Sequence, residues 1–170
     1  MSSRFQIVAV LLTLGANIAV AATTTTNLNV TATVSATCSV TTSAVAFGTY
    51  DPTSASPKDA TGSATVTCTS GTTYSIALDA GAHESTPGDA STRRMLANTA
   101  DYLPYTLYLD SGHTTIWGDG ANGTSVNPSS GTFTGDGTDQ SYSVYGRIAA
   151  GQYVAAGSYS DAVVTTVTYN

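Results

Sequence analysis

Between positions 28 and 36 every even residue is apolar, namely Leu28, Val30, Ala32, Val34 and Ala36, while Asn29, Thr31, Thr33 and Ser35 between them are polar. Side chains that change face with a period of two belong to an extended strand with one buried side. Such a strand hides its apolar side only by joining a sheet, so this period constrains the fold more than any other feature. The question it raises is whose sheet the segment joins.

The segment follows a leader. Arg4 precedes an uncharged run from Ile7 to Val20, and the small residues of "AVAA" place a cleavage site after Ala21. This is the pattern of a secretory signal peptide over residues 1–21. The run is interrupted by Thr13, Gly15 and Asn17 and is shorter than the roughly 20 apolar residues of a membrane span. The expected mature chain is exported and soluble, about 149 residues long, enough for one domain with a core.

Beyond the leader, Lys58, Arg93, Arg94 and Arg147 oppose eleven acidic residues. That balance argues against nucleic acid and anionic membranes, which call for basic patches. Abundant Thr, Ser, Ala and Gly with ten tyrosines suit β structure, and the scarcity of Lys and Glu argues against long surface helices. Export places Cys38 and Cys68 in an oxidising compartment, where a disulfide is the default. Closing a loop of about 30 residues contributes roughly 3 to 4 kcal/mol in the chain-entropy account.

The alternation recurs downstream. "CSVTTSAVAFGTY" continues extended into a loop, "DPTSASPKDATG"; Ala64, Val66 and Cys68 form one strand face, and Tyr74, Ile76 and Leu78 another. Leu103, Tyr105, Leu107 and Leu109 share a face, with Pro104 marking an edge or strand start. The Gly-rich region 117–139 reads as one or two short strands between turns. Tyr142, Val144, Gly146 and Ile148 alternate again, and Tyr159, Val163, Val167 and Tyr169 line one side of the final strand. Several short strands separated by turn signals, without helical periodicity beyond the leader, predict an all-β sandwich.

Catalytic chemistry finds no foothold. His83 and His113 lie in loops, neither with further ligands at metal spacing, and no GxSxG elbow occurs; the chain is read as a non-enzyme without metal or cofactor. Asp119, Asp136 and Asp139 sit in flexible Gly-rich turns, in which Asp-Gly is an ordinary turn pair, and these lack the acid series of a dedicated calcium loop. Trp117, Tyr102, Tyr105 and Tyr108 could form a sugar-stacking platform, but strand aromatics more commonly pack across strands.

Four strings in order, "LYLD", "WGDG", "YGRI" and "AGSYSD", together with a cysteine ahead of the first core strand and a matching "VTC", resemble the spore coat protein U-like family, which includes subunits of archaic chaperone–usher pili. The resemblance covers nearly all of the mature chain. It implies an incomplete immunoglobulin-like β-sandwich over residues 38–170, lacking its last strand, preceded by an N-terminal donor-strand extension over 22–37. It further implies that Gly157, fourteen residues from the end, and the penultimate Tyr169 belong to a final strand, about Ser158 to Tyr169, that walls an exposed groove.

On that resemblance Leu28, Val30, Ala32, Val34 and Ala36 fill the groove of another copy, and Gly157, Tyr159, Val163, Val167 and Tyr169 belong to the acceptor. The implied partners are other copies in a head-to-tail homopolymer, a periplasmic chaperone and an outer-membrane usher. The implied location is the extracellular pilus or cell surface, with roles in adhesion and biofilm formation. Two alternatives stay open: a spore or cell-surface coat protein of the same fold, and a secreted carbohydrate-binding domain built around Trp117.

Overall fold

A computed structural model describes residues 19–170. Residues 1–18 of the predicted signal peptide lie outside the described residues. The chain divides after Thr33 into an N-terminal unit and a unit from Val34 to Asn170. In the described part of the first unit no strand or helix forms, and Leu28 and Val30 are 88% and 86% exposed.

The second unit is all-β. Its strands are β1 (Cys38–Ser43), β2 (Lys58–Cys68), β3 (Thr73–Leu78), β4 (Arg94–Ala97), β5 (Asp101–Pro104), β6 (Thr106–Tyr108), β7 (Phe133–Thr134), β8 (Asp139–Ile148) and β9 (Thr165–Tyr169). Apart from these, a single 3-10 turn spans Ala90–Thr92, started by the Asp89 carboxylate accepting from Ser91 N. One sheet runs β1-β2-β8-β6, a second β7-β3-β9, and β4 and β5 form a separate hairpin.

The core comes from the alternating positions. Ala64, Val66 and Cys68 of β2, Tyr74, Ile76 and Leu78 of β3, and Val144 and Ile148 of β8 are buried, joined by Leu103, Tyr105, Leu107 and Trp117. Burial of apolar surface at about 25 cal/mol per Å² makes this cluster the main source of stability.

Three boundaries differ from the sequence reading. β2 begins at Lys58, inside the predicted loop, because Lys58 to Gly62 pair in register with Ile148 to Val144 of β8; small side chains hid that stretch. The run from Leu103 to Leu109 is two strands, since Tyr105 turns its N–H to Arg93 O rather than to β8, and Pro104 ends β5, an edge strand paired with β4 alone, rather than starting a strand. The final strand is shorter than 158–169. Before Thr165, pairing shifts from β3 to other partners, with Ser160 exchanging both backbone bonds with Leu96.

Candidate functional site

Each sheet ends in a strand paired on one side only: β1 bonds to β2 alone and β9 to β3 alone. The register shows which backbone groups are left over. Thr69 N–H donates to Thr37 O at 2.9 Å, so Thr37 and Thr69 form a hydrogen-bonded pair. Antiparallel pairs alternate between bonded and non-bonded, which makes Cys38–Cys68, Val40–Val66 and Thr42–Ala64 non-bonded positions. Cys38 and Cys68 use theirs for the disulfide, their Cα atoms 4.1 Å apart.

The same count applies to β9. Asp79 N–H donates to Val164 O and Asn170 N–H to Thr73 O, so Thr165, Val167 and Tyr169 stand opposite Leu78, Ile76 and Tyr74 without ladder bonds. Ile76 supplies an independent check, because it exchanges both of its bonds with Asn127 on its other side. Val40 and Thr42 of β1 and Thr165, Val167 and Tyr169 of β9 therefore turn backbone N–H and C=O groups toward unpaired edges. An edge in this state is a template for a further strand.

The side chains at these edges are correspondingly open. Val40 faces the same way as fully buried Val66 yet is 36% exposed. Val45, Phe47, Met95, Val154, Tyr159, Val163 and Val167 pack against the core but stay only partly buried. Between them lie two cavities. One, of about 330 Å³, is lined by Thr42 to Val45 on one wall, Tyr159 to Asp161, Val163 and Thr165 on the other, and Ala64, Leu78, Leu107 and Val144 beneath. The second, of about 680 Å³, extends past Phe47 and Tyr50 on one side and Val154 to Ser158 on the other, above Leu103 and Ile148.

One wall is anchored by polar contacts that sequence reasoning did not single out. Asp161, its side chain only 2% exposed, accepts from Tyr105 OH at 2.7 Å, from Ala82 N at 3.0 Å, and lies 3.0 Å from His83 Nδ1. Gly81, with φ of +80°, is needed here because the Asp161 carboxylate occupies the space a Cβ would take. Burial, then the bond to Asp161, push the Tyr105 phenol above its ordinary range. Val164 N–H donates to the Asp79 carboxylate at 2.9 Å. Asp161 is the last residue of the "AGSYSD" string, the one signal that pointed to it.

Arg93 is the other residue the sequence did not mark. It is 1% exposed and donates to the carbonyls of Leu78, Asp79 and Trp117. Burial lowers its pKa.

The sequence-predicted residues fall as follows. Tyr159, Val163 and Val167 lie half-buried beside the core, Gly157 is exposed along the second cavity, and Tyr169 is exposed at the end of β9. Leu28, Val30, Ala32, Val34 and Ala36 are all exposed. The sugar-platform alternative is corrected: Trp117 is fully buried, its indole Nε1–H donating to Ile76 O at 3.0 Å, and Tyr105 is buried as well. Neither has a ring face free to stack on a sugar. Among the described residues no three His, Cys, Asp or Glu side chains group for a metal ion.

The Spore Coat Protein U domain model matches residues 24–166. The chain belongs to that family. A relative of this Spore Coat Protein U domain is Protein U of Myxococcus xanthus, 40% identical over 131 residues, covering 72% of this chain and 70% of the relative. Among solved structures it is similar to a chain of the CsuC–CsuE chaperone–tip adhesion subunit pre-assembly complex from archaic chaperone–usher Csu pili of Acinetobacter baumannii. That similarity has a TM-score of 0.53 at 22% identity and covers 79% of this chain. This chain spans 40% of that one, and the likeness is one of fold: an all-β sandwich with open sheets, as in a chaperone–usher pilus subunit.

Proposed function

We propose that this Spore Coat Protein U domain protein is a structural subunit of a secreted fibre of the archaic chaperone–usher type. Subunits join when the segment Leu28–Ala36 of one copy enters the open groove of the next. The observation that carries the reading is the pair of unbonded edges, β1 and β9, flanking cavities with an apolar floor. The chain also holds a segment of matching character: nine residues, uncharged and alternating, spanning roughly 30 Å at about 3.3 Å per residue. Backbone bonds to both edges would hold it, and alternate side chains would fill the cavities.

Leu28, Val30 and Val34 would each contribute roughly 1.5 to 3 kcal/mol on full burial, before the cost of ordering the segment. Ala32 and Ala36 are the small members of the series. Because the donor and acceptor surfaces differ, the contact does not close on itself and extends into a filament. A periplasmic chaperone is the partner that would cover the groove before assembly and an outer-membrane usher the site of exchange. The fibre would be extracellular, serving adhesion and biofilm formation.

The test is deletion of Thr24–Ala36 from the secreted protein, with Val34→Asp as the milder variant. Electron microscopy of shed material should show filaments for the parent, none for the deletion, and few for Val34→Asp, whose carboxylate would have to enter an apolar groove. Filaments from the deletion variant would refute the proposal. A second reading, a coat layer of the same fold, draws on the family's description and the likeness to Protein U. Immunogold labelling confined to a continuous cell or spore surface, without filaments, would favour it.

A further inference from the structure

The inner face of the first sheet has a two-glycine hollow. Gly62 of β2 and Gly146 of β8 lie on the face that also bears Ala64, Val66, Val144 and Ile148, and the register places them one step apart diagonally, Gly62 opposite Val144 and Gly146 opposite Ala60. After β1 the chain runs directly over this hollow. A Cβ on Gly146 would stand 2.5 Å from Val45 Cγ1 and 2.8 Å from Phe47 Cζ; one on Gly62 would stand 2.6 Å from Ser43 O and 2.9 Å from Val45 Cγ2. Neither glycine needs a left-handed backbone, so close approach is what requires them.

Seated there, Val45 and Phe47 are two of the four side chains, with Met95 and Tyr159, that border both groove cavities. They form a ridge between the compartments, and its height depends on how far the two side chains sink into the hollow. We infer that Gly62 and Gly146 are specificity-determining residues of the groove: by letting Val45 and Phe47 sink, they set the bore available to an incoming strand. This rests on the strand-acceptor reading and adds to it the element that decides what cross-section fits. A methyl group at 146 collides with side-chain atoms that have only one direction in which to retreat, into the groove. At 62 it meets backbone, which yields less readily.

The experiment uses the mature full-length chain as Gly146→Ala, Val45→Ala and the Val45→Ala/Gly146→Ala pair. Two readouts are taken: thermal unfolding, and binding of a fluorescent synthetic peptide with the sequence of residues 24–37. Gly146→Ala should lower peptide affinity at least tenfold and lower the unfolding midpoint. The double variant, relieved of Val45 Cγ1 but still facing Phe47 Cζ, should bind the peptide more tightly than Gly146→Ala and regain part of the midpoint that Gly146→Ala loses.

Parental affinity in Gly146→Ala, or a double variant no better than the single one, would overturn the inference. A parent that stays monomeric and still leaves the peptide unbound would refute the strand-acceptor reading, and with it the proposed role in selection. The seating of Val45 in the hollow would then be judged on the midpoints, where an unchanged value in Gly146→Ala refutes it.

Discussion

Replacing Arg93 with Met keeps an unbranched apolar stem, shortens the side chain by about the depth of the guanidinium and removes five N–H donors from the interior. The guanidinium meets Trp117 O at 2.8 Å and Leu78 O at 3.0 Å, both buried, and Asp79 O through Nε at 2.8 Å at a less enclosed position. A buried acceptor left without a donor costs about 1 to 3 kcal/mol. Two enclosed carbonyls and one partly enclosed therefore give about 3 to 6 kcal/mol. Against this, an apolar side chain avoids the desolvation the guanidinium suffers, which burial registers by lowering its pKa; that offsets about 1 to 2 kcal/mol.

The net expectation is a loss of about 2 to 4 kcal/mol. For a chain of this size each kcal/mol moves the midpoint by about 2 to 4 °C, a fall of roughly 5 to 15 °C. Urea titration followed by tryptophan fluorescence is the suitable assay, since Trp117 O is one of the carbonyls involved. Arg93→Lys should recover little, because one ammonium cannot span three carbonyls on different segments. Loss of less than about 1 kcal/mol in Arg93→Met would refute the reasoning, showing that the three carbonyls are satisfied without Arg93.

Two further outcomes follow from the geometry. Cys38→Ser/Cys68→Ser should lower stability by about 3 to 4 kcal/mol in urea, the entropy of a loop with sequence separation 30; an unchanged midpoint would mean that the unfolded chain is already restricted. Asp59 and Arg147, opposite one another on β2 and β8, form two bonds of 2.7 Å, and Arg147 holds the Asp59 carboxyl below its usual value. Because the folded pKa is depressed, this contribution is complete above the unfolded value near 3.9 and is lost as pH falls through the folded value. Half-exposed as the pair is, Asp59→Asn should cost less than about 1 kcal/mol at neutral pH and progressively less as the pH is lowered below the unfolded value. Equal costs at neutral and acidic pH would refute the ion-pair account.

How much of this was legible in the sequence depended on side-chain contrast. Ala64-Val66-Cys68 and Tyr74-Ile76-Leu78 alternate against polar neighbours, and β2 and β3 were readable for that reason. The start of β2 was not, because Ala60 and Gly62 carry too little side chain to mark a face, although Gly62 lies under Val45. Trp117 packs in the core, as strand-flanking aromatics commonly do.

The polar anchors were out of reach for a different reason. Arg93 stands in a charged pair with Arg94, and nothing local distinguishes the buried one from the one stacked over Tyr102 at 4.0 Å. Asp161 draws its partners from residues 56 and 78 positions away. Open edges are likewise a property of sheet order and bonding parity. The alternating segment at 28–36 was visible at once, whereas the unpaired Val40, Thr42, Thr165 and Val167 emerged only from the register.

The disulfide has a mechanical meaning beyond its entropy. It joins the first residue pair of β1 and β2, at the point where residues 34–37 lead into the sheet. A pull on the chain ahead of Cys38 would otherwise load the end of an edge strand and open its ladder one pair at a time. With the sulfurs bonded, tension crosses at Cys38 into β2, which is flanked by β1 and β8, and the edge strand β1 is taken out of the load path.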